Sequence, residues 1–271
     1  MRKQASDTQI THGQRMWLYF LSAVIMFLLV FPTLIVIPMS FSDSQYLEFP
    51  PEKWSIRWYE EYWETPRWIN ATITSLQVAF FTMLLATPIG TMAAYGLFVS
   101  GSKLGRYVFF LLMTPMIIPV ILIAIGTFYV FGKVGVVNSI PGLVLAHTVL
   151  AVPIVMIIMT SALRTYDLNQ ELVARSLGAS RIRAFFSITL PQIKFSIIIS
   201  ALFAFLTSFD EVIISIFLSG GGNSTLTKQM FNALRDYIDP TIAAISTLMI
   251  ILSTTLMLGT QYLGKQIKYL L

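Results

Sequence analysis

Six apolar runs, each long enough to cross a hydrocarbon layer, decide what this chain can fold into. A helix rising about 1.5 Å per residue needs roughly 20 apolar residues to span a bilayer core. Runs of that length lie near Trp17 to Ser40, Ile69 to Phe98, Tyr107 to Phe131, Ile140 to Leu163, Phe195 to Leu218 and Thr241 to Leu263. The expected fold is all-α: a polytopic membrane protein with six transmembrane helices. Composition agrees, since 56% of the 271 residues are hydrophobic and 11% charged, with mean hydropathy +0.74, whereas a soluble domain carries about 25% charged residues. Cysteine is absent, which excludes disulfides, thiolate metal sites and a cysteine nucleophile.

The net charge of +5 does not indicate a nucleic-acid partner, because the positive residues sit between the apolar runs and follow a topological rule. An even number of spans puts both termini on one side. Twelve basic residues fall there: Arg2, Lys3, Arg15, Lys103, Arg106, Arg164, Arg175, Arg181, Arg183, Lys194, Lys265 and Lys268. Opposite them are six, Lys53, Arg57, Arg67, Lys133, Lys228 and Arg235, with most of the acidic residues. This bias places both termini and the polar loop 165–191 in the cytoplasm. Residues 1–16 form a polar tail, and the run behind them is too long for a signal-peptide core, so it is expected to remain as the first span. Pro32 and Pro38 are expected to bend its outer half.

The loop 165–191, TYDLNQELVARSLGASRIRAFFSITLP, reads as two short helices with a sharp break between them. Asp167 followed by Gln170 is a capping-box pattern, and Gly178 stands where the first helix needs a left-handed C-cap. Ser180 can cap a second helix running to Leu190, where Pro191 is expected to change the direction of the chain. On local pattern alone, a capped amphipathic helix resting in the membrane interface is the lesser alternative.

Glu171, Ala174, Gly178, Ala179, Ile188, Leu190 and Pro191 resemble the "EAA" loop of membrane permeases in binding-protein-dependent ABC importers. Leu172 and Val173 stand where that pattern has two alanines. The resemblance implies a type I ABC importer permease-like fold, with residues 1–271 as one transmembrane domain in a bacterial inner membrane. It also implies that the first loop helix, with Glu171, Ala174, Arg175, Ser176, Leu177, Gly178 and Ala179, docks on a cytoplasmic ATPase. The implied partners are two ATPase subunits, a second permease forming a heterodimer, and a periplasmic substrate-binding protein. ATP and Mg would be bound by the ATPases, with no cofactor or metal in this chain.

Two acidic residues, Asp210 and Glu211, lie inside an apolar run. Carboxylates at that depth must face water, a partner or a ligand. If the fifth span is one helix, Ser196, Ser200, Ala204, Thr207, Ser208, Glu211 and Ser215 form one small, polar stripe, with Asp210 rotated off it by about 100°. The functional reading makes Thr207, Ser208, Asp210, Glu211 and Ser215 part of a substrate pathway; the alternative is a hydrogen-bonded structural pair. His147 in the fourth span is expected to serve as an interhelical hydrogen-bond partner. The second span is rich in small residues that let helices approach closely, and the third holds Pro115 and Pro119.

The aromatic and acidic outer segment YLEFPPEKWSIRWYEEYW and the Ser-Phe-Asp-Glu sequence at 208–211 resemble the polyamine branch of these permeases. That resemblance implies a small cationic solute; a zwitterion or quaternary amine is the alternative. The outer segment itself reads as an interfacial belt with a short helix, or as a contact for the binding protein. Residues 219–239 read as a glycine hinge and an amphipathic helix serving as lid or platform. No P-loop, His-Glu-x-x-His or Gly-x-Ser-x-Gly pattern is present, so an enzyme is not expected. The competing class is an ATP-independent channel or secondary transporter, against which stands the lack of an internal repeat.

Overall fold

The computed structural model describes residues 15–268. Most of the expected cytoplasmic tail, with Arg2 and Lys3, lies outside the described residues, as do the side chains of Lys265 and Lys268. The chain forms two compact units: one holds the residues up to Tyr62 with Ile238–Met249, the other Trp63–Tyr237 with the chain from Ile250 onward.

In the first unit, α1 (Met16–Met39) runs through Pro32 and Pro38 as one helix and buries none of its residues. The segment after it is held by side chains: Ser40 Oγ lies 2.7 Å from Tyr59 Oη, Ser42 Oγ donates to Glu48 at 2.6 Å, and Trp58 Nε1 donates to the Ser44 carbonyl at 3.2 Å. These bonds set α2 (Arg57–Glu64), the short helix expected in the aromatic outer segment.

The second unit is built on three mutually packed helices, α3 (Pro66–Ser100), α6 (Ile140–Arg164) and α9 (Leu190–Phe209). In lipid, helices associate through close packing and hydrogen bonds rather than through water exclusion. Small residues on α3 accordingly face inward, with Ala71, Ser75, Ala79, Ala86, Gly90 and Ala94 buried. Gly90 marks the closest approach: a Cβ there would lie 2.6 Å from Val155 Cγ1 and 3.2 Å from the Val152 carbonyl oxygen on α6.

Two spans expected to be single helices are broken. The third is α4 (Lys103–Ile117) and α5 (Val120–Val134), bent by 100° at Ile118–Pro119. Pro119 removes a backbone donor and drives Ile118 into an extended conformation, φ −76° and ψ 133°. The fifth is α9, ending at Phe209, and α10 (Ile213–Leu218), separated by Asp210–Val212. Among the described residues, five helices are thus long and apolar enough to cross a membrane, or six if the bent α4–α5 pair is one span.

The loop between α6 and α9 holds α7 (Asn169–Ser176) and α8 (Arg181–Ala184). Pro191 does not turn the chain as expected. A π-helical turn over Phe185–Thr189, with the Leu190 amide bonded to the Phe185 carbonyl, joins α8 to α9 in one helical run from Arg181 to Phe209. The wider turn closes on the Leu190 amide, and Pro191 then stands in the first turn of α9, where its missing amide costs little. After α10 come α11 (Leu226–Asp236) and α12 (Thr241–Lys268).

Candidate functional site

Two parts of the second unit gather the polar side chains singled out by sequence: the 165–191 loop and the break in the fifth span. In the loop, Asp167 Oδ1 accepts from the Asn169 amide at 3.0 Å, and Leu168 rather than Asp167 is the N-cap. The expected capping box does not close, because Gln170 accepts a hydrogen bond from the Gln192 side chain on α9 instead of reaching back. The other end follows the sequence signal. Gly178 has φ +94°, its amide bonds the Arg175 carbonyl at 3.0 Å, and the Ala179 amide bonds that of Ala174 at 3.1 Å. This pair of bonds is a Schellman motif, whose left-handed residue favours glycine. Ser180 Oγ then accepts from the Arg183 amide at 3.3 Å and starts α8.

Glu171 points inward, at 1% exposure. Tyr95 Oη, from α3, donates to its carboxylate and lies 2.7 and 2.8 Å from the two oxygens. Thr189 Oγ1, from the π turn, donates to Oε2 at 2.9 Å. Thr189 has one proton and gives it to Glu171, so Tyr166 Oη, 2.9 Å from Thr189 Oγ1, must be the donor of that bond. Burial raises the Tyr166 pKa above its ordinary value, and the negative charges of Glu171 and Asp167 add to the effect. The buried carboxylate therefore ties α7 to α3 and to the head of α9.

Sequence reading missed Tyr95, Tyr166 and Thr189. Each is a hydroxyl residue whose importance depends on the distant Glu171, and none belongs to a motif. The other loop residues face differently. Arg175, Ser176, Leu177 and Gly178 are exposed, Ala174 and Ala179 half-buried. Leu177 is 84% exposed and Ile182 72%, with Leu172 and Val173 also uncovered. An apolar patch on a polar loop is the informative deviation, because large exposed apolar groups mark contact surfaces.

At the break, Asp210 and Glu211 leave the α9 register, so the helical stripe expected through Ser215 ends at Ser208. Glu211 Oε1 accepts from the Ile214 amide at 2.8 Å and caps the first turn of α10. Its carbonyl accepts from Ser215 Oγ at 3.0 Å and from Thr227 Oγ1 on α11 at 2.8 Å. Asp210 is exposed, Thr207 half-buried, and Ser208 and Ser215 buried. Thr207 Oγ1 bonds back to its own helix at the Phe203 carbonyl, 2.7 Å away. His147 is the interhelical partner its position suggested, with Nδ1 2.8 Å from Ser208 Oγ and Nε2 3.4 Å from Ser215 Oγ.

The α11 helix is docked next to this break. The Leu226 amide donates to Ser75 Oγ on α3 at 2.8 Å, and Lys228 Nζ donates to the Ser219 carbonyl. Partial burial lowers the Lys228 pKa. Among the described residues, no three His, Cys, Asp or Glu side chains come together to hold a metal ion.

These features define a class: a polytopic helical membrane protein with a rigidly anchored loop on one face and a polar helix break in one span. The chain belongs to the family described as the binding-protein-dependent transport system inner membrane component, which matches residues 86–269. It is 29% identical over 253 residues to a spermidine/putrescine transport system permease protein, PotC, of Haemophilus influenzae, covering 92% of this chain and 98% of that one. It is 31% identical over 226 residues to a putrescine transport system permease protein, PotI, of Escherichia coli K12, covering 81% and 80%. Its fold is that of a chain in the crystal structure of a bacterial ABC transporter involved in the import of the acidic polysaccharide alginate, with TM-score 0.74, 13% identity and coverage of 94% and 98%. A second alginate transporter structure, in complex with a periplasmic protein bound to an alginate pentasaccharide, gives TM-score 0.72 at 17% identity, covering 94% and 96%. The chain is accordingly a multi-pass inner-membrane permease of an ABC importer that depends on a binding protein.

Proposed function

We propose that this permease passes a small organic cation of the polyamine kind, and that Asp210 is the carboxylate offered to it. The observation that carries the reading is the helix break: in a span whose other charged residue, Lys194, lies in the first turns of α9, it places Asp210 exposed and Glu211 capping α10. A carboxylate at that depth needs water, a partner or a ligand, and an ammonium group supplies both charge and hydrogen-bond donors. The two polyamine permeases among the relatives support the same class.

In this reading the chain pairs with a second, different permease, which supplies further carboxylates for a solute carrying several charges. Two cytoplasmic ATPase subunits bind ATP and Mg, and this chain binds neither. The basic residues on the loop side support a cytoplasmic 165–191 loop and cytoplasmic termini. Leu172, Val173, Leu177 and Ile182 seat in the ATPase, while Glu171 keeps α7 fixed to α3 and α9 so that motion of the loop moves those helices.

ATP hydrolysis by the complete complex in lipid tests this. Stimulation by the binding protein loaded with spermidine or putrescine, and none with a neutral amino acid, is the expected result. Stimulation by the amino acid alone discards the cation. A permease that never copurifies with an ATPase discards the coupling role of the loop.

A further inference from the structure

The polar chain around His147 has no explanation in packing alone. His147 is buried on α6, and its two ring nitrogens reach Ser208 in the last turn of α9 and Ser215 in α10. Beyond Ser208 lies Thr82 on α3, with the two hydroxyl oxygens 3.3 Å apart. Beyond Ser215 lies the Glu211 carbonyl, which also takes the Thr227 hydroxyl of α11. Five helices and the break are therefore linked through one imidazole.

The break lies between the two contacts. In an unbroken helix, residues seven apart are separated by about 10 Å along the axis. Here the chain leaves the helix at Asp210–Val212, between Ser208 and Ser215, and both hydroxyls lie within reach of the one ring. Ser215 gives its proton to the Glu211 carbonyl and Ser208 gives its own to Thr82, so both serines accept from the ring, and a neutral imidazole donates to one of them in each tautomer. No other single side chain in this cluster presents two polar atoms at opposite ends.

We propose that His147 is a positioning residue of the translocation pathway: its ring pins the end of α9 to α10 and thereby sets where the break presents Asp210 and Glu211. It is buried and does not itself meet the solute. The inference rests on the reading of Asp210 as the solute contact, but its test separates the two.

The chain has no native cysteine, so Val212→Cys places a single reporter in the break. Its labelling by a membrane-impermeant maleimide, and spermidine uptake by the parent chain, are measured in the complete transporter with His147 intact, with His147→Ala and with His147→Gln. We expect His147→Ala to change the labelling rate several-fold and to raise the apparent KM for uptake about tenfold with little change in kcat. His147→Gln, whose amide retains a donor and an acceptor, recovers most of both. If His147→Ala does not assemble, Ser215→Ala removes one bond with little volume and carries the same expectation. Unchanged labelling in an assembled alanine variant overturns the proposal. Altered labelling with normal uptake upholds the hold of His147 on the break and overturns instead the role of Asp210.

Discussion

The 165–191 loop and the broken span dispose of charge in opposite ways. The loop is the longest polar interruption between apolar runs in the second half of the sequence, yet it buries one of its two carboxylates, Glu171, and exposes Leu172, Val173, Leu177 and Ile182. The broken span is apolar in sequence, yet it exposes Asp210 and buries a neutral chain of hydroxyls and one imidazole. Where a carboxylate is enclosed, it has three oxygen contacts to hydroxyl donors; where one is exposed, the surrounding backbone has abandoned the helix. Average polarity of a segment therefore does not indicate which groups are offered to a partner. The pattern of internal hydrogen bonds does.

The sharpest way to break this contrast is to empty the loop's anchor. Glu171→Ala leaves the Tyr95 and Thr189 hydroxyls enclosed without their acceptor, at about 1–3 kcal/mol each. We expect α7 to detach, substrate-stimulated ATP hydrolysis to fall to the basal level, and proteases to cut the loop in assembled complexes. Glu171→Gln keeps an acceptor oxygen in place and should retain part of the stimulation. Normal coupling in Glu171→Ala would remove the carboxylate from the transmission path.

Next in size is the exposed charge. Asp210→Asn should lower the transport efficiency for spermidine about tenfold, equivalent to ~1.4 kcal/mol, without loss of assembled complex. Glu211→Gln retains an oxygen for the Ile214 amide and should cost less than Glu211→Ala, which uncaps α10. Equal uptake by Asp210→Asn and the parent protein would show that exposure at the break is not recognition. On the loop, Gly178→Ala forces a side chain into the left-handed region, at roughly 1–2 kcal/mol. Stimulated ATPase activity should drop a few-fold, and Gly178→Pro, which also removes the amide bonded to Arg175, should uncouple transport while leaving insertion intact.

Much of the fold was legible because the constraints are local. Run length located five helices long and apolar enough to cross a membrane, and the bent pair in the third run; Gly178 and Ser180 announced the helix ends that the structure contains. The breaks were less legible. Pro115 and Pro119 were visible in the third run, but proline kinks and proline breaks share a sequence pattern, and neighbouring helices decide between them. At Pro191 the opposite error arose: a change of direction was expected, and a π turn absorbed the proline within one helical run. The fifth span offered no proline or glycine at its break, and helical periodicity extrapolated through Asp210 gave a stripe that the chain does not form. Tyr95, Tyr166 and Thr189 were invisible for a related reason. Their role is set by Glu171, which lies 76 residues from Tyr95 in sequence, and no local pattern records such a pairing.

The smallest expected effect probes the outer member of the loop network. Tyr166 donates to Thr189, whose proton goes on to Glu171, so Tyr166→Phe removes one hydrogen bond and leaves the carboxylate with both of its own donors. The loss should be about 0.5–1.5 kcal/mol, seen as a modest fall in the thermal stability of the complex with ATPase coupling almost intact. If coupling instead falls as far as in Glu171→Ala, the network acts as a unit rather than as an anchor with a support. The loop would then resemble the chain of bonds around His147, in which loss of one link is expected to disturb the whole, and the contrast between the two regions would narrow to the position of the charge.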